Sequence, residues 1–67
     1  MKLEAKVDVY AWQYDMPCLD PIEIKKGDVV EIKAVLAFRN KVRASCENGY
    51  EVEIDNNVVA FAFKEDE

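Results

Sequence analysis

Apolar and polar residues alternate with a period of two along most of the chain. Leu3, Ala5, Val7 and Val9 interleave with Lys2, Glu4, Lys6 and Asp8, as in a strand with one buried face. Tyr10, Trp12 and Tyr14 then fall on the opposite parity, which puts three aromatic side chains on the other face of the same extended run. Val30, Ile32, Ala34, Leu36 and Phe38 mark a second, long strand. Val42, Ala44 and Cys46 mark a third, and Tyr50, Val52 and Ile54 a fourth. Residues 58–63 are apolar throughout and predict a last strand, followed by a short acidic tail over 64–67.

Between these runs lie the turn signals. Residues 15–21, "DMPCLDP", hold both prolines of the chain and read as a loop. Asp55, Asn56 and Asn57 form a polar break with room for a single helical turn. At Glu47-Asn48-Gly49 parity decides the loop length. A two-residue hairpin sets Cys46 against Glu51 and Ala44 against Glu53, apolar against acid. A three-residue loop with Gly49 left-handed sets Cys46 against Tyr50 and Ala44 against Val52, with Arg43 opposite Glu53 on the outer face. The three-residue loop is therefore expected, and the same test favours an odd-length connection between Phe38 and Val42. No segment sustains a helical period. Short strands with turns every ten or so residues predict an all-β fold, a small five-stranded antiparallel barrel in one domain over 1–67. Its expected core is Val7, Val9, Val30, Ile32, Ala34, Val42, Ala44, Val52, Ile54, Val59 and Phe61.

Composition narrows the class. The chain has 67 residues, 51% hydrophobic and 34% charged, which suits one globular domain with a small core. Its net charge of −5 argues against a phosphate-backbone binder and makes a basic partner the electrostatic complement. The first residues lack the apolar segment of a signal peptide, and no run approaches the roughly 20 apolar residues of a membrane span. A cytosolic location in the producing or infected cell is expected, with no membrane contact. Cys18 and Cys46 are too few for a disulfide framework, and two reduced thiols are expected.

In element order the chain resembles an SH3 domain over roughly residues 7–63. The opening aromatic strand of that family is matched by "YAWQY" at Tyr10–Tyr14, and its long first loop by residues 15–23. Its diverging turn is matched by Lys25-Lys26-Gly27-Asp28 leading into Val29-Val30-Glu31-Ile32, and its distal hairpin by Glu47-Asn48-Gly49. The resemblance implies an SH3-like barrel and a possible peptide groove in which Trp12 and Tyr14 take the two opening aromatic positions. The family's groove tryptophan falls at Asn40-Lys41, its proline at Asp55 and its tyrosine at Val58. Three of the five groove contacts are thus replaced, which counts against ordinary proline-motif binding.

Catalytic chemistry is poorly supplied. Histidine and threonine are absent and Ser45 is the one serine, so the usual nucleophile–base pairs cannot be assembled and no enzyme is expected. Glu51, Glu53 and Asp55 share a strand face, a pattern typical of solvated surface rather than acid–base catalysis. No calcium-loop spacing exists, and neither metal nor cofactor is expected.

What remains is recognition. Tyr10, Trp12 and Tyr14, with Asp15, Met16, Leu19, Asp20 and Glu23 beyond them, form an aromatic and acidic patch; Pro17 adds to its apolar loop tip. Such a patch suits a partner segment carrying Arg or Lys beside apolar side chains, and a protein-interaction module is the expected function. Arg39, Lys41 and Arg43, with Lys33 a further candidate, form a basic row that offers weak nucleic-acid binding as an alternative, although Glu51 and Glu53 can balance it. A further alternative is a small acidic inhibitor, of the kind phages encode, whose carboxylates mimic nucleic-acid phosphates.

Overall fold

The computed structural model of the chain describes residues 1–16 and 18–66. The first alternating run is not one strand. It breaks at Lys6, Val7 and Asp8 into β1 (Lys2–Ala5) and β2 (Val9–Gln13). The break is made by hydrogen bonds leaving the ladder. The Lys6 amide donates to Ala62 O at 2.7 Å, and the Asp8 carboxylate accepts from the Lys26 amide at 2.8 Å. Val7, expected in the core, is consequently turned outward and 49% exposed.

β3 (Ile22–Ile24) precedes the Lys25–Asp28 turn. That turn closes through the Asp28 amide donating to Lys25 O at 2.9 Å, with Gly27 at φ +95° in the third position, where an L side chain is strained. β4 (Val29–Leu36) and β5 (Lys41–Cys46) are joined by a 3₁₀ turn over Ala37–Arg39 and a left-handed Asn40. β6 (Glu51–Asp55) follows the 47–49 turn. α1 (Asn56–Ala62) and β7 (Phe63–Glu65) complete the described chain.

The strands form one antiparallel sheet in the order β3-β2-β6-β5-β4-β1-β7, curled into a half-barrel that is compatible with a small SH3-like barrel. Among the described residues seven strands replace the five expected. The break at residues 6–8 makes two strands of one, and the segment before the Lys25–Asp28 turn contributes β3.

The expected three-residue turn is present. Ala44 stands opposite Val52 and Arg43 opposite Glu53, the Cys46 amide donates to Tyr50 O at 2.8 Å, and Gly49 has φ +93°. The odd-length connection before Val42 is not. Leu36 pairs with Lys41, leaving four residues between them, and a bulge between Ile32 and Ala34 absorbs the difference. Below the bulge Ile32 stands opposite Ala44, so the parity that favoured an odd loop holds there and is lost nearer the turn.

Residues 58–62 form the end of α1 rather than a strand. Asp55 caps that helix by accepting from the Asn57 amide at 2.8 Å. Val58, Val59 and Ala62 recur at helical spacing and face the core, while Phe61, expected inside, is 66% exposed. Lys64 and Glu65, expected in a tail, lie in β7, which pairs with β1; Glu67 lies outside the described residues.

The core is Leu3, Ala5, Val9, Ala11, Ile24, Val30, Val42, Ala44, Val52, Ile54, Ala62 and Phe63, with Ile22, Ile32, Cys46, Val58 and Val59 half-buried against it. Ala34, expected in the core, stays outside it. The outer faces of β2, β6 and β5 are therefore free to carry polar and aromatic side chains.

Candidate functional site

Three rows run side by side on that outer face. β2 contributes Tyr10 and Trp12, with Tyr14 just beyond its end. β6 contributes Glu51, Glu53 and Asp55, and β5 contributes Lys41 and Arg43. Trp12 stands opposite Glu53, and Arg43 stands opposite Glu53 from the other side, so the acid row lies between an aromatic and a basic row.

The basic and acid rows are tied together. Arg43 donates from Nε and Nη2 to Glu51 Oε1 at 3.0 and 2.6 Å, and its guanidinium lies 4.5 Å from the centre of the Tyr14 ring. The hydrogen bond to Glu51 raises the Arg43 pKa above its ordinary value, against some desolvation. Arg39 brings Nη2 to 3.0 Å from Glu53 Oε1. Its N–H is not aimed at that oxygen, which is buried without a hydrogen bond, so the contact is an ion pair only. Lys41 stands opposite Asp55 in register. Lys33 lies apart, 3.4 Å from Glu31 on its own strand.

The aromatic row is more open. Trp12 is 49% exposed, Tyr10 is more so, and Tyr14 is half-covered beneath Arg43. Tyr10 donates its hydroxyl to Glu23 Oε2 at 3.3 Å across the β2–β3 pair. Beyond β2 the chain turns at Asp15, which takes a left-handed φ of +59°, a conformation Asp tolerates better than most residues. The Met16 amide donates back to Gln13 O at 3.2 Å and the Leu19 amide to Met16 O at 3.1 Å. Gln13 Nε2 donates to Asp20 O at 3.1 Å and so ties the returning limb of the loop to the end of β2. Asp15, Met16, Leu19, Asp20 and Glu23 are all exposed; Pro17 lies outside the described residues.

An open groove of about 400 Å³ lies where this loop meets the β5–β6 turn, lined by Gln13, Tyr14, Asp15, Met16, Gly49, Tyr50 and Glu51. Its two walls are joined by the Tyr14 amide donating to Glu51 O at 2.9 Å. Of the residues expected in the patch, Tyr14, Asp15 and Met16 line the groove, and Tyr10, Trp12 and Glu23 extend from it along β2 and β3. Leu19 and Asp20 stand in the loop without lining it. Tyr50 is the residue that sequence reasoning assigned only to a strand. The three-residue turn was itself the signal, since it places Tyr50 at a hairpin end, beyond reach of the core.

Among the described residues no group of three or more His, Cys, Asp or Glu side chains could hold a metal ion. Among the same residues no helix is long and apolar enough to cross a membrane. Comparison with protein-family models, with curated proteins and with solved structures finds no match.

Proposed function

We propose that this chain is a non-enzymatic interaction module that holds a basic, partly apolar segment of a partner protein against the outer face of β2 and the loop after it. The observation that carries the reading is the run of exposed large side chains Tyr10, Trp12, Met16 and Leu19 beside exposed Asp15, Asp20 and Glu23. Aromatic side chains of this kind anchor interfaces because they bury much area for little conformational entropy, and methionine, also enriched there, adapts its shape to what it meets. The surrounding carboxylates select a cationic neighbour. The groove at Tyr14, Met16 and Tyr50 gives an apolar side chain somewhere to go.

The ion pairs across the outer face weigh against the nucleic-acid readings. Arg39 and Arg43 are engaged with Glu53 and Glu51, so neither the cations nor those two carboxylates are free to meet a phosphate or to imitate one without breaking a pair.

The test is a titration of the isotope-labelled chain, followed by NMR, with two short peptides of matched apolar content, one basic and one acidic. The basic peptide is expected to shift the Trp12 indole and the amides of Tyr14, Asp15 and Tyr50, and to lose affinity as salt rises to physiological strength. Equal response to both peptides, or response elsewhere on the sheet, refutes the reading.

A further inference from the structure

The chain carries its own match for this face. Residues 7–24 contain Asp8, Asp15, Asp20 and Glu23 and no Lys or Arg; residues 32–46 contain Lys33, Arg39, Lys41 and Arg43 and no Asp or Glu. The acidic segment holds the exposed Tyr10, Trp12, Met16 and Leu19. The basic one holds the exposed Val35 and Phe38 at the tip of the β4–β5 hairpin. Phe38 is 85% exposed, the most open large apolar side chain described, and no residue of its 3₁₀ turn is buried. With Val35 also exposed on this hairpin end, the ring offers a partner an aromatic side chain of the type enriched at interfaces.

The tip is also held in shape. Asn40, left-handed at φ +57°, accepts from the Asn56 amide at 3.1 Å and from Asn56 Nδ2 at 2.9 Å, which fastens the turn to the start of α1. Arg39 stacks over the Phe38 ring at 5.2 Å. Phe38 is therefore displayed on a pre-formed element, and little ordering entropy opposes its insertion into a partner.

We infer that a second copy of this chain occupies the face: the Phe38 ring of one molecule enters the groove between Met16 and Tyr50 of the next, with Lys41 beside Asp15 and Asp20. This rests on the reading of that face as a protein-binding site and names one partner for it. The groove, at about 400 Å³, exceeds the roughly 150 Å³ that suffices to hold a benzene ring in an enclosed cavity. The two surfaces lie at opposite ends of β5, because Lys41 begins the strand at the tip and the turn after Cys46 carries Gly49 and Tyr50 into the groove. Across a six-residue strand that is roughly 17 Å, too far for one molecule to satisfy itself. The proposed contact is head-to-tail, the tip of each molecule meeting the groove of the next. It leaves one free surface at each end of a pair and adds further copies until it closes or is capped. The net charge of −5 on every copy works against it, so association belongs at high protein concentration.

The experiment uses sedimentation equilibrium from micromolar to millimolar chain, with Phe38→Ser and Met16→Lys variants. Both side chains are exposed, and circular dichroism checks that the variants fold. Wild type is expected to rise above the mass of one chain. Each variant alone stays at that mass, and an equimolar mixture forms a complex of twice that mass and no larger, because each variant keeps only one working surface. A mixture that stays monomeric while wild type associates overturns the inference, because a single tip-in-groove contact then fails to hold two molecules; a variant that associates alone overturns it too, because like surfaces then meet. So does a wild type that stays monomeric throughout. In that case a basic peptide that still shifts the Trp12 indole leaves the interaction reading standing, whereas a silent indole removes both.

Discussion

Replacing Ile24 by alanine tests where the core lies. Ile24 is 2% exposed and is the one fully buried residue of β3, the short strand that returns the acidic loop to the sheet. The change removes three buried carbons, worth about 0.8 kcal/mol each in transfer from water. A cavity term of about 24 cal/mol per Å³ of unfilled space adds to this, giving a loss of about 3–4 kcal/mol, inside the roughly 2–5 kcal/mol range for such truncations. A chain of this length has about 3–10 kcal/mol in total at roughly 0.05–0.15 kcal/mol per residue, so the loss is a large share. Val7→Ala and Phe61→Ala, which the sequence pattern places in the core, should each cost no more than about 0.5 kcal/mol, because both side chains are exposed. Urea unfolding followed by the single tryptophan and by far-ultraviolet circular dichroism reads all three. With a slope near 1 kcal/mol per molar for a small domain, Ile24→Ala moves the midpoint by about 3 M. If it leaves too little folded protein to measure, Ile24→Val, at about 0.5–1.5 kcal/mol, serves in its place. A Phe61→Ala loss equal to that of Ile24→Ala would refute the placement of both residues.

Three further outcomes are expected. Asp55→Ala removes the cap of α1 and should cost about 1 kcal/mol in the same urea assay, while Asp55→Asn, which can still accept from the Asn57 amide, should lose much less; equal losses contradict the capping role. Gly49→Ala should cost about 1–2 kcal/mol from the positive φ alone, since a methyl group there meets nothing within 4 Å, and an unchanged midpoint contradicts the turn geometry. Cys46 is half-buried on the core face, and burial, with Asp28 second, pushes its thiol pKa up, whereas Cys18 is exposed. The folded state therefore keeps the Cys46 proton after the unfolded chain has released it, and stability should fall as pH rises above the ordinary thiol value of about 8.5. Cys46→Ala should flatten that fall, Ellman's reagent should label Cys18 first, and parallel pH profiles with equal labelling rates contradict the assignment.

Much of the sheet was legible because a two-residue period leaves few choices of register. Ala44 opposite Val52 and Gly49 left-handed follow from asking which turn keeps apolar residues on one face. The same reasoning failed between β4 and β5, because parity counts residues and cannot see a bulge that removes one from the count. Residues 58–63 failed differently: a short all-apolar run has no period to read, so strand and buried helix look alike. What distinguished them was the capping signal at Asp55 and the Val58, Val59 and Ala62 spacing, which acquires meaning only once a core exists to face. The aromatic patch was visible as parity. The groove was not, because Tyr50 reaches it from the turn before β6, which the Tyr14–Glu51 backbone bond holds beside the end of β2.

The ladder between β1 and β7 sets an order of events for a chain being made. Leu3 and Ala5 reach the surroundings they have in the finished fold only when Glu65 and Phe63 arrive to pair with them, nearly the whole sequence later. Phe63 and Ala62 are also core residues, so the interior lacks one wall until they have left the ribosome. Until then β1 offers an open edge to any neighbouring strand. Closure thus waits for β7 rather than proceeding from β1 strand by strand. Its rate is governed by the search of two distant segments for each other, which places this small fold among the slower-forming members of its size class.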